Sequence, residues 1–325
     1  MVYLQILAGF VLLLGGAEFL VRGAVQVAAK AGLSAMLIGM TVVAFGTSAP
    51  EFVVSLNASL DGASGLALGN IIGSNIANIL LILGVTALFA PIVVDAKAVI
   101  RDALMVMGSS VLFAWVCLTG TISSMAGGFM FLILLGYFVM SYLRERKNHH
   151  SSADLHAREA EEVQDLEMSM SIAWLCLICG LAAVAYGADL LVTGGSDVAR
   201  GFGVSEEVIG LTLIAFGTSL PELAASVMAA LRGHTDVAIG NVIGSNLFNI
   251  LCVGGGVSFI VPMTVPQQLQ NYDLWVMIAA TILLLVYLTL GKRLGRPDGL
   301  AFVAVYGLYI TTQAVGVDKV LGMLG

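Results

Sequence analysis

The chain has 325 residues, of which 59 % are hydrophobic and only 11 % charged. Soluble globular chains are nearer to about 45–50 % apolar and about 25 % charged, so this composition excludes an ordinary soluble protein and indicates a polytopic α-helical membrane protein. The net charge of −7 says little about partners, because most of the chain is expected to meet lipid; no nucleic-acid or protein partner is expected.

Ten apolar runs are expected to cross the ~30 Å hydrocarbon layer. They lie near 3–28, 33–60, 65–89, 98–119, 123–143, 170–199, 204–231, 236–260, 270–290 and 298–316. The N-terminus, MVYLQILAGF, has no basic n-region and no A-x-A site, so no cleaved signal peptide is expected. Glu18 and Arg22 stand one turn apart in the first span, where Arg22 can pair with the glutamate or snorkel.

The second span holds GMTVVAFGTSAPE, residues 39–51. Pro50 removes a backbone donor and Gly46 relaxes the chain, so the helix is expected to break around residues 45–49. Such a break is expected to free carbonyls near Ala44, which lipid tolerates only where the segment is buried in protein or lines a polar cavity. The third span carries GNIIGSNIANIL, residues 69–80. Ser74 and Asn78, four apart, share a helix face, and Asn75, about 100° away, is expected to hold the broken backbone. Gly65, Gly69 and Gly73 are read as helix-packing positions. Asp102 and Asp273 begin spans and are read as caps. The polar stretch 144–169 is a linker, with His149, His150 and His156 solvated. Cys176 and Cys179 form a CxxC in an apolar span without histidine or charge, and are read as packing residues.

The chain then repeats itself at an offset of 171 residues. GLTLIAFGTSLPE at 210–222 matches the first motif in nine of thirteen positions, and GNVIGSNLFNIL at 240–251 matches the second in nine of twelve. Gly16, Glu18, Gly23, Pro91 and Asp102 recur as Gly187, Asp189, Gly194, Pro262 and Asp273. Five spans per half is an odd number, so the second half enters the membrane inverted, the arrangement of secondary transporters with a site near the midplane. The expected organisation is a first repeat at 1–143 (motif 39–84), a cytoplasmic linker at 144–169 and an inverted repeat at 170–325 (motif 210–255), with spans 2 and 7 broken. With the N-terminus outside, twelve of the fourteen Lys and Arg residues fall on the inner side and only Arg200 and Lys319 outside. The positive-inside rule then puts both termini away from the cytoplasm.

The repeated polar residues are Thr47, Ser48, Glu51, Ser74 and Asn78 in one copy, and Thr218, Ser219, Glu222, Ser245 and Asn249 in the other. All are hard oxygen donors, which disfavours zinc and copper. Calcium accepts about six to eight oxygens with flexible geometry, and sodium has similar requirements. A glutamate at the membrane centre costs about 3 kcal/mol or more unless neutralised. Two of them are neutralised by one Ca²⁺, by two or more Na⁺, or by protons, so one cation set can be exchanged for another. A cation channel and an intramembrane enzyme are weaker readings. An inverted repeat is not needed for a symmetric pore, and no nucleophile, zinc motif or phosphate loop is present.

GTSxPE followed by GNxxGSNxxNI, twice over the whole chain, resembles the sodium/calcium exchanger family of the calcium/cation antiporter superfamily, and most of all its prokaryotic, YrbG-like branch. The resemblance implies a bacterial or archaeal cell-membrane antiporter that exchanges Ca²⁺ for Na⁺ by alternating access, with Ca²⁺/H⁺ exchange as the near alternative. It implies that Glu51 and Glu222 are shared ligands, that Thr47, Ser48, Ser74, Thr218, Ser219 and Ser245 give oxygens, that the Ala44 and Ala215 carbonyls serve flanking Na⁺ sites, and that Asn78 and Asn249 complete the centre. Asn249 departs from the Asp of some members. No cofactor beyond the transported ions is implied. The first spans of the two halves would slide as a pair against the rest, a motion to which Gly15, Gly16, Gly23, Gly187, Gly194 and Gly195 are suited.

Overall fold

The computed structural model describes residues 2–93, 96–148, 168–202, 215–289 and 293–317. They are nearly all helical: α1 (Val2–Ala31), α2 (Ala35–Thr47), α3 (Ala49–Leu60), α4 (Ser64–Phe89), α5 (Ala96–Leu118), α6 (Ser124–Asn148), α7 (Met170–Gly201), α8 (Leu220–Leu231), α9 (Thr235–Ile260), α10 (Leu269–Thr289) and α11 (Arg296–Val315). Two short strands, β1 (Thr121–Ile122) and β2 (Met263–Thr264), pair antiparallel. Gly210 and Thr212 of the repeat, most of the linker with its histidines, Lys292 and Lys319 lie outside the described residues.

Seven of these helices, α1, α4, α5, α6, α7, α9 and α10, are long and apolar enough to cross a membrane, and the bent pair α2–α3 makes an eighth. The other two expected spans stand differently. α8 has 12 residues, and positions 204–214 before it lie outside the described residues. α11 has the length of a span, 20 residues, but carries Arg296, Asp298, Thr311, Thr312 and Gln313. Length and composition therefore support eight spans rather than all ten.

The chain forms two compact units, each built from both repeats: Met1–Pro50 with Leu135–Ser245, and Glu51–Leu134 with Asn246–Gly325. In the first unit α1 and α7 pack along their length. Leu13, Ala17, Leu20 and Ala24 of α1 share one buried cluster with Ala173, Leu177, Val184 and Ala188 of α7. The sequence permits this through glycines spaced by seven, Gly9, Gly16 and Gly23 against Gly180 and Gly187. A Cβ on Gly16 would stand 2.8 Å from the Val184 nitrogen, and one on Gly187 would stand 2.6 Å from the Leu13 nitrogen. Small residues are what let membrane helices approach backbone to backbone. The opposite faces show Tyr3, Leu7, Phe10, Leu175 and Ile178, an apolar exterior suited to lipid. Glu18 pairs with Arg22 at 2.5 Å, as expected, and also takes a two-pronged contact from Arg232 of the loop after α8, at 2.7 and 2.8 Å.

In the second unit α4 packs on α11 and α5 on α10. A Cβ on Gly84 would lie 3.0 Å from the Gly299 carbonyl. Ser110 and Thr281, repeat equivalents, have their hydroxyls 3.5 Å apart. Gly65 meets Pro266, whereas Gly69 and Gly73 meet nothing within 4 Å among the described residues. The packing role expected of that trio therefore rests on its first member alone. Neither expected cap stands at a helix start. Helix α5 begins six residues before Asp102, whose carboxylate accepts from Arg101 at 2.7 Å. Asp273 closes a π-helical turn, Leu269–Asp273, and accepts from Tyr309 at 2.9 Å and from Gln313.

Candidate functional site

In the first unit, Ser34 caps α2 by accepting the Leu37 N–H at 3.1 Å. The helix then widens into a π turn over Gly39–Val43, tightens over Ala44–Thr47 and stops at Ser48 (φ −86°, ψ 5°) before α3 begins. The two pieces meet at 43°, so the break falls where Gly46 and Pro50 put it. The freed carbonyl does not. That of Ala44 still accepts the Ser48 N–H at 2.9 Å and lies 3.4 Å from the Thr47 hydroxyl. The carbonyl that loses its usual helical donor is Gly46, four residues before Pro50, because proline has no N–H.

The second break has its own geometry. After the single turn Ala215–Gly217, Ser219 N–H bonds Phe216 O at 3.1 Å, a tighter i→i+3 contact, and α8 begins with Pro221 in its first turn. Proline at this position gives up an N–H that has no intrahelical partner anyway. Ser219 is buried and Thr218 half-buried. Glu222 is 1 % exposed, and Ser48 donates to its Oε1 at 2.9 Å. Its Oε2 has no hydrogen-bond partner among the described residues, and neither does the buried Ser245 hydroxyl.

Gly240 and Gly244 lay α9 directly on α2. A Cβ on Gly240 would come 2.5 Å from the Met36 carbonyl, and one on Gly244 would collide with that of Met40. Between them stands Asn241, fully buried. Its Oδ1 accepts from Thr47 at 3.3 Å, and its Nδ2 donates to the Glu222 carbonyl at 3.3 Å and to the Ser226 hydroxyl at 3.0 Å.

In the second unit Glu51, Ser74, Asn78 and Asn249 are each 5 % exposed or less. Asn78 opens the π-helical turn Asn78–Ile82, and Asn249 is the second residue of another, Phe248–Gly254. π turns inside α-helices recur at functional sites. Both amide atoms of both asparagines are buried without a hydrogen-bond partner among the described residues, an uncommon state that calls for a reason. Asn70 Nδ2 donates to the Glu51 carbonyl at 3.3 Å and to the Ser55 hydroxyl at 3.0 Å. Asn75, expected in that role, instead bonds Ile71 O of its own helix at 2.7 Å.

The structure thus joins Ser48 to Glu222 directly and links Thr47 to the Glu222 helix through Asn241. Sequence reasoning missed Asn70, Asn241, Ser55 and Ser226. A signal existed: both asparagines stand in the quoted GNxxGSN blocks, and a serine follows each glutamate by four residues in both copies. Among the described residues no three His, Cys, Asp or Glu side chains come together, so a cation held here would take hydroxyl, amide and carbonyl oxygens beside the carboxylates. That donor set matches Ca²⁺ and Na⁺ and not a soft metal.

Comparison with known proteins agrees with this chemistry. The family model described as sodium/calcium exchanger protein matches residues 1–143 and 172–315. The putative antiporter CaxA of Alkalimonas amylolytica is 41 % identical over 301 residues, covering 90 % of this chain and 92 % of its own. The sodium/calcium exchanger MaX1 of Methanosarcina acetivorans is 32 % identical over 339 residues, covering 95 % and 97 %. Among solved structures, the sodium-calcium exchanger NCX_Mj soaked with 2.5 mM Na⁺ and 0.1 mM Ca²⁺ superposes with a TM-score of 0.82 at 33 % identity, covering 96 % of this chain and 99 % of that one.

Proposed function

Because the chain belongs to the sodium/calcium exchanger family, a family of transporters and not of enzymes, we propose that it exchanges Ca²⁺ for Na⁺ across a cell membrane by alternating access. The observation that carries this reading is a pair of repeat-related glutamates, Glu51 and Glu222, each 1 % exposed beside a helix break in an apolar chain. A buried carboxylate needs a cation or a proton, and the unpartnered oxygens of Asn78, Asn249, Ser245 and Glu222 are groups a cation would satisfy. Glu51 and Glu222 serve as the shared carboxylate ligands. Thr47, Ser48, Ser74, Thr218, Ser219 and Ser245 add hydroxyl oxygens, Asn78 and Asn249 amide oxygens, and the Ala44 and Ala215 carbonyls serve Na⁺. The Ala44 carbonyl keeps one lone pair for this role, since its helical bond takes the other.

The halves 1–143 and 170–325 act as the two inverted repeats. Helices α1 and α7, in contact through their glycines, move together during access. Both termini face away from the cytoplasm and the 144–169 linker faces it. Reporter tags at either end are expected to read non-cytoplasmic, and a cytoplasmic C-terminal tag would contradict that orientation.

Ca²⁺/H⁺ exchange is the second reading, favoured by one observation: with Asn at both 78 and 249, the repeated motifs hold only two carboxylates, each able to take one proton. Proteoliposomes separate the two. With pH and membrane potential fixed, Ca²⁺ uptake is expected to require internal Na⁺. Uptake driven by a pH gradient in the absence of Na⁺ would replace Na⁺ with protons as the coupling ion.

A further inference from the structure

Asn70 and Asn241 are 171 residues apart and make the same contacts. Each sends its two amide hydrogens to the carbonyl of a repeated glutamate, at 3.3 Å in both copies, and to a serine hydroxyl one turn further on, at 3.0 Å in both copies. An amide nitrogen has two hydrogens, so the donor capacity of each asparagine is fully used. The glutamate carbonyl already lies in a helix, where the N–H four residues on is its usual partner. The asparagine therefore occupies its second lone pair and fixes the turn that carries the carboxylate. Asn241 does one thing more. Its Oδ1 accepts the Thr47 hydroxyl proton at 3.3 Å, which leaves the lone pairs of Thr47 free to face a cation. It is held in place by Gly240 and Gly244, whose missing side chains let α9 touch α2.

We infer that Asn70 and Asn241 are positioning residues: each pins the helical turn of one repeated glutamate through its carbonyl and the serine one turn on, and Asn241 also orients the Thr47 hydroxyl, so that they set cation affinity without binding the ion. This rests on the exchange reading above. Neither asparagine needs to touch the cargo, because the carboxylates and hydroxyls they hold do so.

The test uses the full-length purified protein, reconstituted, with wild type, N241A, N70A, S226A and the N241A/S226A double variant. Two quantities are read: the Ca²⁺ half-saturation and maximal rate of Na⁺-dependent uptake, and the thermal stabilisation each protein gains from Ca²⁺ or Na⁺ alone. Loss of a buried hydrogen-bond partner corresponds to roughly tenfold in an equilibrium constant. N241A and N70A are each expected to raise the Ca²⁺ half-saturation about tenfold while the maximal rate stays within about threefold. S226A is expected to move it about threefold the same way. The double variant is expected to match N241A, because Ser226 acts through Asn241.

An unchanged half-saturation in N241A and N70A overturns the inference. So does a lower maximal rate at unchanged half-saturation, or a double variant whose effects multiply. If N241A does not fold, S226A and N70A decide on the same criteria. A wild type without Na⁺-dependent uptake sinks the exchange reading alone, and Ca²⁺-induced stabilisation then still reports on the asparagines. A wild type stabilised by neither ion overturns both.

Discussion

The two copies of the repeated motif agree in one place and differ in another. The asparagine anchors match to the tenth of an ångström, 3.3 and 3.0 Å in each copy. The breaks beside them do not. In the first, Ser48 keeps an i→i+4 bond to Ala44 at 2.9 Å, and in the second, Ser219 makes an i→i+3 bond to Phe216 at 3.1 Å. What aims the carboxylate is the same in both copies, and what bends the helix is particular to each. A transporter whose halves exchange roles needs equal ligand placement on both sides, while its hinges must adopt unequal shapes in any one state.

The largest expected effect falls on the invariant part. E51Q and E222Q are each expected to reduce Na⁺-dependent Ca²⁺ uptake to background while the protein still purifies as a folded species. One variant retaining wild-type flux would break the equivalence of the copies. The asparagine variants come next, and N70A and N241A are expected to shift Ca²⁺ half-saturation by similar factors.

The breaks should respond unequally. P50A restores an N–H for the Gly46 carbonyl in a segment that is otherwise already helical, adding about 1 kcal/mol of hydrogen bonding. A higher melting temperature and a several-fold lower exchange rate are expected. P221A acts on a turn already tightened to i→i+3 and should change both quantities less. Equal effects would mean that the breaks do not differ in function.

The smallest effect concerns a contact with no counterpart. Glu18 and Arg232 form a pair whose side chains are 17 % and 51 % exposed, and the positions 171 residues away are Asp189 and Asp61, both acidic. A partly exposed pair contributes about 0.2–1 kcal/mol. R232Q is therefore expected to lower the melting temperature only slightly, less at high salt.

Much of this was legible in the sequence. Spans follow from composition, the break follows from the stereochemistry of Gly46 and Pro50, and the inverted repeat from counting. The errors share a cause: within a helix, sequence gives a residue's face but not the neighbour beyond it. Asn75 and Asn70 look equally able to hold broken backbone. Only the approach of α4 to α3 selects Asn70, as the approach of α9 to α2 over Gly240 and Gly244 selects Asn241. Ala44 was expected to lose its helical bond, although proline removes the donor four residues on from Gly46. Asp102 was read as a cap because α5 starts a turn and a half before its apolar run does. The seven-residue spacing of Gly9, Gly16 and Gly23 became meaningful only when α7 supplied Gly180 and Gly187 opposite.

The most direct measurement is radiocalcium binding to purified wild type, E51Q and E222Q at fixed pH, with and without Na⁺. The expected result is saturable Ca²⁺ binding to wild type that Na⁺ displaces, and loss of that binding in both variants. Wild-type Ca²⁺ binding in either variant would contradict the claim that the two repeated glutamates hold the cargo.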